Sequence, residues 1–142
     1  MAGVALEPRV VQLRDGGVPV EQRDERLRGY LSEVLAGHAD ADAITASTGV
    51  AVGRRLADRD QVVLGDVVLD VIGLRGHTPG GIALVYQEPG GDAHIFTGDS
   101  LFPGGVGNTK NPGQSFASLI DDVERRIFDV YDDGAWVYPG HG

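Results

Sequence analysis

Three glycine-rich turns of this chain each carry one side chain that commonly binds metal ions. His77 lies in LRGHTPGG, Asp99 in FTGDSLFPGG and His141 in VYPGHG. Each turn follows an apolar segment, so a strand end would hold each side chain, and glycine lets the backbone approach a bound group. Two imidazoles and one carboxylate suit Zn²⁺ or a similar divalent cation. Such an ion would lower the pKa of a bound water and supply a hydroxide nucleophile near neutral pH.

Each of these three residues also has a simpler interpretation. His77 can bond to a nearby backbone carbonyl, as histidines in turns often do. Asp99 can cap the turn that follows it, which is a common role of aspartate in glycine-rich loops. His141 is followed by one residue in this sequence, and chain ends are mobile unless other contacts hold them. The spacing along the chain does not decide between these alternatives.

The segments that precede the turns predict strands. The apolar segment QVVLGDVVLDVIGL predicts two strands joined at Gly65-Asp66, the second of which sets Val67, Leu69 and Val71 on one face against Val68, Asp70 and Ile72 on the other. A second pair is expected at GIALVYQ and AHIFTGD, and a final strand at AWVYPG. The ends of these strands are expected to position the three ligand side chains.

Two segments show helical spacing of apolar residues. One helix is predicted over residues 21–35, ending at Gly37, and a second over residues 116–127, with Ser115 as its N-cap. Residues 38–60 are expected to be mainly a loop, with a short strand at 50–52. Helices and strands in separate layers indicate an α/β domain in which the two helices cover one face of the sheet.

Composition limits the functional classes. The chain has 142 residues, 42% hydrophobic residues, no cysteine and a net charge of −9. This length suits one domain, and the absence of cysteine excludes disulfides, thiolate metal sites and a cysteine nucleophile. No basic block is present to bind nucleic acid or an anionic membrane surface. No apolar run approaches the roughly 20 residues of a spanning helix, and no signal peptide is recognisable, so a cytoplasmic location is expected.

The motifs GHTPGG, FTGDSLFPGGVGNT and VYPGHG, in this order and separation, resemble the C-terminal half of a metallo-β-lactamase-fold hydrolase of the glyoxalase II-like thioesterase branch. The resemblance implies a partial αβ/βα sandwich with a mixed sheet and a dinuclear metal site at one edge. It implies that His77 is a ligand of the first metal, that Asp99 is the bridging, catalytic carboxylate, and that His141 is a ligand of the second metal. Zinc or a similar divalent metal is the implied cofactor, and a small molecule with a thioester or ester bond is the implied substrate.

The sequence departs from this family in its first half. The other family ligands come from a His-x-His-x-Asp-His motif before a helix, and no two of the four histidines here are two residues apart. If the helix predicted over residues 21–35 follows that motif, the ligand positions fall on residues 22–27, where Arg23 and Arg26 place cations. We therefore expect one incomplete, truncated domain over 1–142, with a poorly defined leader at 1–20 and the best-matching core at 61–142.

Several other polar residues resemble site residues but have simpler interpretations. His38 begins the group His-x-Asp-x-Asp with Asp40 and Asp42, and a solvated polar loop is the favoured interpretation. His94 is expected to be a surface or cross-strand residue. The acidic positions of the second helix, Asp121, Asp122 and Glu124, are expected to be solvated surface, and the apolar positions from Phe116 to Ile127 are expected to be core.

Two hypotheses of function remain. One is a metal-dependent hydrolase that attacks a thioester or ester carbonyl with a metal-bound hydroxide, with impaired activity because the motif is incomplete. The other is a non-catalytic module that binds metal weakly or not at all. A half-sandwich would expose an apolar sheet face, so a homo-oligomer that buries this face is also expected.

Overall fold

The fold is known from a computed structural model that describes residues 33–141. Its centre is a five-stranded sheet, flanked by two two-stranded pairs and two helices. The strands are β1 Leu35–Gly37, β2 Arg54–Leu56, β3 Gln61–Leu64, β4 Val67–Gly73, β5 Ile82–Gln87, β6 Ala93–Gly98, β7 Leu101–Phe102, β8 Gly105–Val106 and β9 Trp136–Pro139. The helices are α1 Ala41–Thr48 and α2 Phe116–Val123, and a π-helical segment, Glu124–Phe128, continues α2.

The central sheet is mixed. Its strand order is β3-β4-β5-β6-β9, and the first four strands pair antiparallel with their neighbours. Strand β9 pairs parallel to β6, from His94 opposite Trp136 to Gly98 opposite Pro139. Strands β4, β6 and β9 therefore run in the same direction, and their C-terminal ends lie at the same edge of the sheet. The predicted α/β class with a mixed sheet is confirmed. The described residues contain two helices, of which only α2 is one of the two that the sequence predicts.

The core lies on both faces of the central sheet because side chains alternate between the faces along each strand. One face packs against α2, where Leu119, Val123 and Ile127 contact Val85 and Ile95. The opposite face is covered in part by the β1–β2 pair. There the buried residues are Leu35, Leu56, Val62, Leu69, Val71 and Leu84.

The remainder of that second face carries aromatic side chains. Tyr86, His94, Phe96 and Tyr138 form a ladder of rings across β5, β6 and β9, with ring centroids 4.9 to 5.9 Å apart. Phe96 on β6 is 43% exposed, and Trp136 on β9 is 58% exposed. His94 is therefore a cross-strand residue, as predicted. Self-association through this face stays a prediction.

Helix α2 begins as predicted, because the side chain of Ser115 accepts a hydrogen bond from the backbone N–H of Ser118 at 3.2 Å. Two details of the helix prediction are wrong. Phe116 is 60% exposed and does not belong to the core. Asp122, predicted to be solvated, is 1% exposed, and its carboxylate pairs with Arg75 before the His77 turn and with Arg126 one helical turn further along.

The helix predicted over residues 21–35 is wrong at its C-terminal end, which lies within the described residues. Residues 21–32, like the predicted leader at 1–20, lie outside the described residues, but Leu35 begins strand β1. All three residues of β1 are buried, which an amphipathic helix with one polar face does not allow. Gly37 is the last residue of this strand and not a helix cap. A Cβ atom on Gly37 would lie 1.7 Å from the carbonyl oxygen of Gly80, so only glycine fits there.

The predicted loop over residues 38–60 contains helix α1 and strand β2. Helix α1 follows Asp40 and ends at Gly49, whose φ of +71° is the left-handed conformation of a helix C-cap. Strand β2 begins at Arg54, two residues beyond the end of the strand predicted at 50–52, and it pairs in parallel with β1. No helix within residues 33–141 is long and apolar enough to cross a membrane.

Candidate metal centre

The topology brings the three predicted ligands to one edge of the sheet. Asp99 follows β6 directly, and His141 lies two residues beyond the end of β9. His77 lies in the turn that connects β4 to β5. Because β4, β6 and β9 end at the same edge, the three residues lie together although 64 positions separate the first from the last.

The carboxylate of Asp99 lies between the two imidazoles. His141 Nε2 is 3.2 Å from Asp99 Oδ1, and His77 Nε2 is 3.8 Å from Asp99 Oδ2. Each histidine thus faces a different oxygen of the same carboxylate. The side chains of His77 and Asp99 are 22% and 30% exposed, so both are partly screened from solvent. The ring of His141 also lies beside Phe102, with centroids 5.5 Å apart.

The surrounding structure fixes the orientation of the His77 ring. Its Nδ1 lies 2.8 Å from the backbone oxygen of Asn108. A carbonyl oxygen only accepts, so Nδ1 must carry the proton and donate it, which leaves the lone pair on Nε2. The side chain of Gln114 donates to the backbone oxygen of His77 at 2.7 Å. A backbone carbonyl that holds one ring nitrogen in this way is typical of histidines that bind metal through the other nitrogen.

Two glycines lie so close to these side chains that no other residue fits without movement. A Cβ atom on Gly107 would lie 2.0 Å from the Asp99 carbonyl oxygen and 2.9 Å from the ring of His77. A Cβ atom on Gly140 would lie 2.6 Å from Asp99 Oδ1. The backbone N–H of Gly140 donates to the carbonyl oxygen of Gly98 at 2.7 Å, which joins the ends of β6 and β9.

The donor types suit one divalent cation of the zinc class. Two imidazole nitrogens and a carboxylate are common zinc ligands, and the His77 tautomer leaves Nε2 available. As the side chains stand, however, residues 33–141 contain no group of three or more histidine, cysteine, aspartate or glutamate residues that could hold a metal ion. The metal-ligand roles of His77, Asp99 and His141 therefore stay predictions.

Asp40, predicted to lie in a solvated polar loop, lies at this edge of the sheet. It lies between β1 and α1, and its side chain accepts hydrogen bonds from the Thr78 hydroxyl and, at 2.7 Å, from the Gly80 backbone N–H. The segment from His38 to Asp40 thus follows a strand, precedes a helix and contacts the His77 turn. The His-x-His-x-Asp-His motif of the family that this chain resembles lies before a helix. Residues 38–40 precede helix α1 and therefore correspond to the motif better than residues 22–27 do. The signal in the sequence was the short apolar run Val34-Leu35-Ala36 followed by Gly37.

Two other residues of metal-binding type do not extend the candidate centre. Asp42 pairs with Arg55 at the surface. His94 lies on the aromatic face, where its Nδ1 is 2.9 Å from the hydroxyl of Tyr138.

An ion-pair network around the buried carboxylate of Asp122 supports the His77 turn from the side of α2. The Asp122 carboxylate accepts from the backbone N–H of Arg75 at 2.8 Å and from its guanidinium at 2.9 and 3.0 Å. Arg126 Nε lies 3.1 Å from the same carboxylate. Burial alone would raise the pKa of Asp122, but the hydrogen bonds from Arg75 and the charges of Arg126 and Arg75 hold that pKa below its ordinary value. Asp122 is therefore ionised at neutral pH and ties α2 to the segment before His77.

Curated relatives and solved structures resemble this chain, whereas no family model matches it. A hydroxyacylglutathione hydrolase of Anaeromyxobacter dehalogenans is 32% identical over 124 residues, which cover 74% of this chain and 45% of that protein. A probable polyketide biosynthesis zinc-dependent hydrolase, PksB, of Bacillus subtilis is 31% identical over 61% of this chain and 36% of its own length. The crystal structure of the BLEG-1 B3 metallo-β-lactamase superposes with a TM-score of 0.66 at 20% identity, over 84% of this chain and 62% of that one. This chain therefore spans less than half the length of these two curated relatives.

Proposed function

Because this chain belongs to the metallo-β-lactamase-fold hydrolases, we propose that His77, Asp99 and His141 are part of a site for metal-dependent hydrolysis of a thioester or related ester bond. We propose further that this hydrolysis is impaired in this chain. The observation that carries the proposal is the position of the Asp99 carboxylate between the Nε2 atoms of the two histidines.

In this proposal the three side chains hold one divalent cation of the zinc class. His77 binds through Nε2 because Asn108 holds its Nδ1 proton. Asp99 contributes a negative charge, which compensates the charge of the cation and draws it to the strand ends. A bound cation would supply Lewis-acid polarisation of the substrate carbonyl and acidify a water molecule.

Impaired hydrolysis follows from the residues that the chain offers for ligation. The 142 residues contain four histidines and no His-x-His-x-Asp-His motif. In the segment that occupies the motif's position, Asp40 is hydrogen-bonded to the His77 turn. His38 is exposed there and its side chain adds one imidazole at most. A second metal ion would therefore have too few ligands from the described residues.

The relatives favour a small-molecule substrate with an acyl–sulfur or acyl–oxygen bond. One of them is named a hydroxyacylglutathione hydrolase, and its substrate is therefore a thioester of a small thiol. The described part of this chain is acidic, with 16 Asp and Glu against 7 Lys and Arg between residues 33 and 142. This balance does not favour nucleic acid as a partner.

The proposal is tested by zinc titration and a thioester hydrolysis assay on the whole chain. We expect wild-type protein to bind about one equivalent of zinc and the variants His77→Ala and His141→Ala to bind it at least tenfold more weakly. His94→Ala is the matched control, because His94 lies on the aromatic face and not at the strand ends. Wild-type protein that binds no zinc above the His77→Ala level would overturn the proposal. Two equivalents of zinc with rapid thioester turnover would overturn the proposed impairment.

The alternative function is a non-catalytic module that pairs with a second copy of this chain. The exposed ladder of Tyr86, His94, Phe96 and Tyr138 favours it, because two such faces could stack. Sedimentation velocity separates the two functions. A dimer that Phe96→Ser dissociates, together with no zinc binding, supports the module.

A further inference from the structure

The turn that carries His77 is closed by its own backbone. We call residues 74–81 the His77 loop. The N–H of Leu74 donates to the carbonyl oxygen of Gly81 at 2.8 Å, and the N–H of Gly76 donates to that of Thr78 at 3.0 Å. Gly76 has a φ of +136°, which side-chain-bearing residues rarely adopt. The loop is therefore one compact unit, and a contact at Thr78 or Gly80 influences where His77 lies.

Both carboxylate oxygens of Asp40 accept hydrogen bonds from this loop. Oδ1 accepts from the backbone N–H of Gly80 at 2.7 Å, and Oδ2 accepts from the hydroxyl of Thr78, the residue after His77. A hydrogen bond from a neutral donor to a carboxylate is stronger than one between neutral groups. Asp40 also precedes the first residue of α1, but its side chain makes no capping hydrogen bond to that helix. Its carboxylate accepts hydrogen bonds from the His77 loop instead.

Close backbone packing fixes the same junction. A Cβ atom on Gly80 would lie 2.6 Å from the Asp40 backbone nitrogen, and one on Gly37 would lie 1.7 Å from the Gly80 carbonyl oxygen. The end of β1 and the His77 loop thus touch through glycine on both sides. Asp40 cannot turn its carboxylate toward the ligand side chains without giving up its two bonds to the loop.

We infer that Asp40 is a positioning residue that holds His77 for metal binding and is not itself a metal ligand. The inference rests on the proposed function, because it assigns His77 to the metal. In the family that this chain resembles, the aspartate of the motif before the helix is a ligand. Here the aspartate in that position acts through Thr78 and Gly80 on the histidine of the next turn. The opposite side of His77 is held by Asn108 and Gln114.

The experiment compares variants at both ends of the hydrogen bond. Thr78→Val removes the donor hydroxyl, Thr78→Ser keeps it, and Asp40→Ala removes the acceptor. Asp42→Ala is the matched control, since Asp42 lies two residues away and pairs with Arg55 at the surface. The zinc dissociation constant is measured by competition with a chromogenic chelator. Hydrogen exchange of the Gly80 amide is measured on the zinc-free protein, and circular dichroism confirms folding.

We expect Thr78→Val and Asp40→Ala each to raise the zinc dissociation constant about tenfold, and the double variant to raise it no further. Thr78→Ser and Asp42→Ala should stay within about twofold of wild type. Asp40→Ala should also speed exchange of the Gly80 amide without zinc, whereas Asp42→Ala should not.

Three results would overturn the inference. Loss of zinc binding in Asp40→Ala with unchanged binding in Thr78→Val would make Asp40 a ligand. Unchanged binding in both variants would remove any role in positioning. Slow exchange of the Gly80 amide in Asp40→Ala would show that the loop does not depend on Asp40. If wild-type protein binds no zinc, the proposed function fails, and the exchange rates still decide whether Asp40 holds the loop. If Asp40→Ala does not fold, the Thr78 pair carries the test.

Discussion

Two carboxylates near the His77 loop differ in how the protein surrounds them. Asp122 is buried, and its oxygens receive four contacts from Arg75 and Arg126 at 2.8 to 3.1 Å. Asp99 is 30% exposed, and the two imidazoles beside it lie at 3.2 and 3.8 Å. The protein therefore compensates the charge of Asp122 by itself. At Asp99 it places two imidazoles, which commonly bind metal ions, beside a carboxylate that solvent still reaches.

The strongest test of this comparison is removal of the buried carboxylate. Asp122→Ala is expected to lower the free energy of unfolding by about 3 kcal/mol, because it removes the buried acceptor of the Arg75 backbone N–H and of the guanidinium groups of Arg75 and Arg126. Urea denaturation followed by circular dichroism measures this change. Asp121→Ala is the control, since Asp121 is an exposed neighbour that pairs with Arg125 one helical turn away. That pair should contribute less than about 0.5 kcal/mol. Equal losses of unfolding free energy in the two variants would show that the contacts of Asp122 stabilise the fold no more than an ordinary surface ion pair does.

Zinc should stabilise the protein through Asp99 and not through Asp122. At a free zinc concentration of 100 times the dissociation constant, the free energy of unfolding should rise by about 2.7 kcal/mol. Asp122→Asn should keep this increment on a lower baseline, whereas Asp99→Asn should lose it. Thermal unfolding with zinc and with a chelator gives the two curves for each variant. An increment that survives in Asp99→Asn would place the zinc site elsewhere.

Acid should weaken the Asp122 network in a defined range of pH. The pKa of Asp122 is lowered in the folded protein from an ordinary value of 3.8, so the unfolded chain binds its proton more readily. The contribution of this residue to stability is therefore complete above about pH 4 and is lost as the pH falls through the folded-state pKa. Urea midpoints of wild type and Asp122→Asn between pH 2 and 6 measure it. The difference between the two proteins should shrink toward pH 2, and a constant difference would contradict the assignment.

The sequence predicts the strand ends well because their signals are local. It predicts the network around Asp122 poorly because the contacts of that carboxylate join distant parts of the chain. Strands β3 to β6 follow from short apolar segments and from the glycine-containing turns between them, which are local signals. Because these signals place β6 and its turn correctly, Asp99 is located at a strand end from the sequence alone. Its approach to His141 depends on the parallel pairing of β9 with β6, which the family resemblance implies but periodicity does not.

Asp122 and Asp40 show what local patterns cannot supply. Asp122 lies among acidic residues of a helix, and its partner Arg75 is 47 positions away, so its burial depends on a tertiary contact. Asp40 lies in an alanine- and aspartate-rich segment without helical periodicity of apolar residues. Helix α1 buries only Ala41 and depends on the chain around it. In both cases a distant part of the chain decides the environment of the carboxylate.

The smallest expected effect is that of Asp99→Asn on the zinc-free protein. Asparagine has nearly the same shape as aspartate, and the side chain of Asp99 is 30% exposed, so the substitution leaves no buried charge unpaired. We therefore expect the free energy of unfolding, measured in urea with a chelator at pH 7.5, to change by less than about 0.5 kcal/mol. Asp122→Asn in the same buffer provides the comparison and should lose several times more. A loss of about 2 kcal/mol or more in Asp99→Asn would mean that Asp99, like Asp122, serves the fold, and the contrast between the two carboxylates would then say nothing about metal binding.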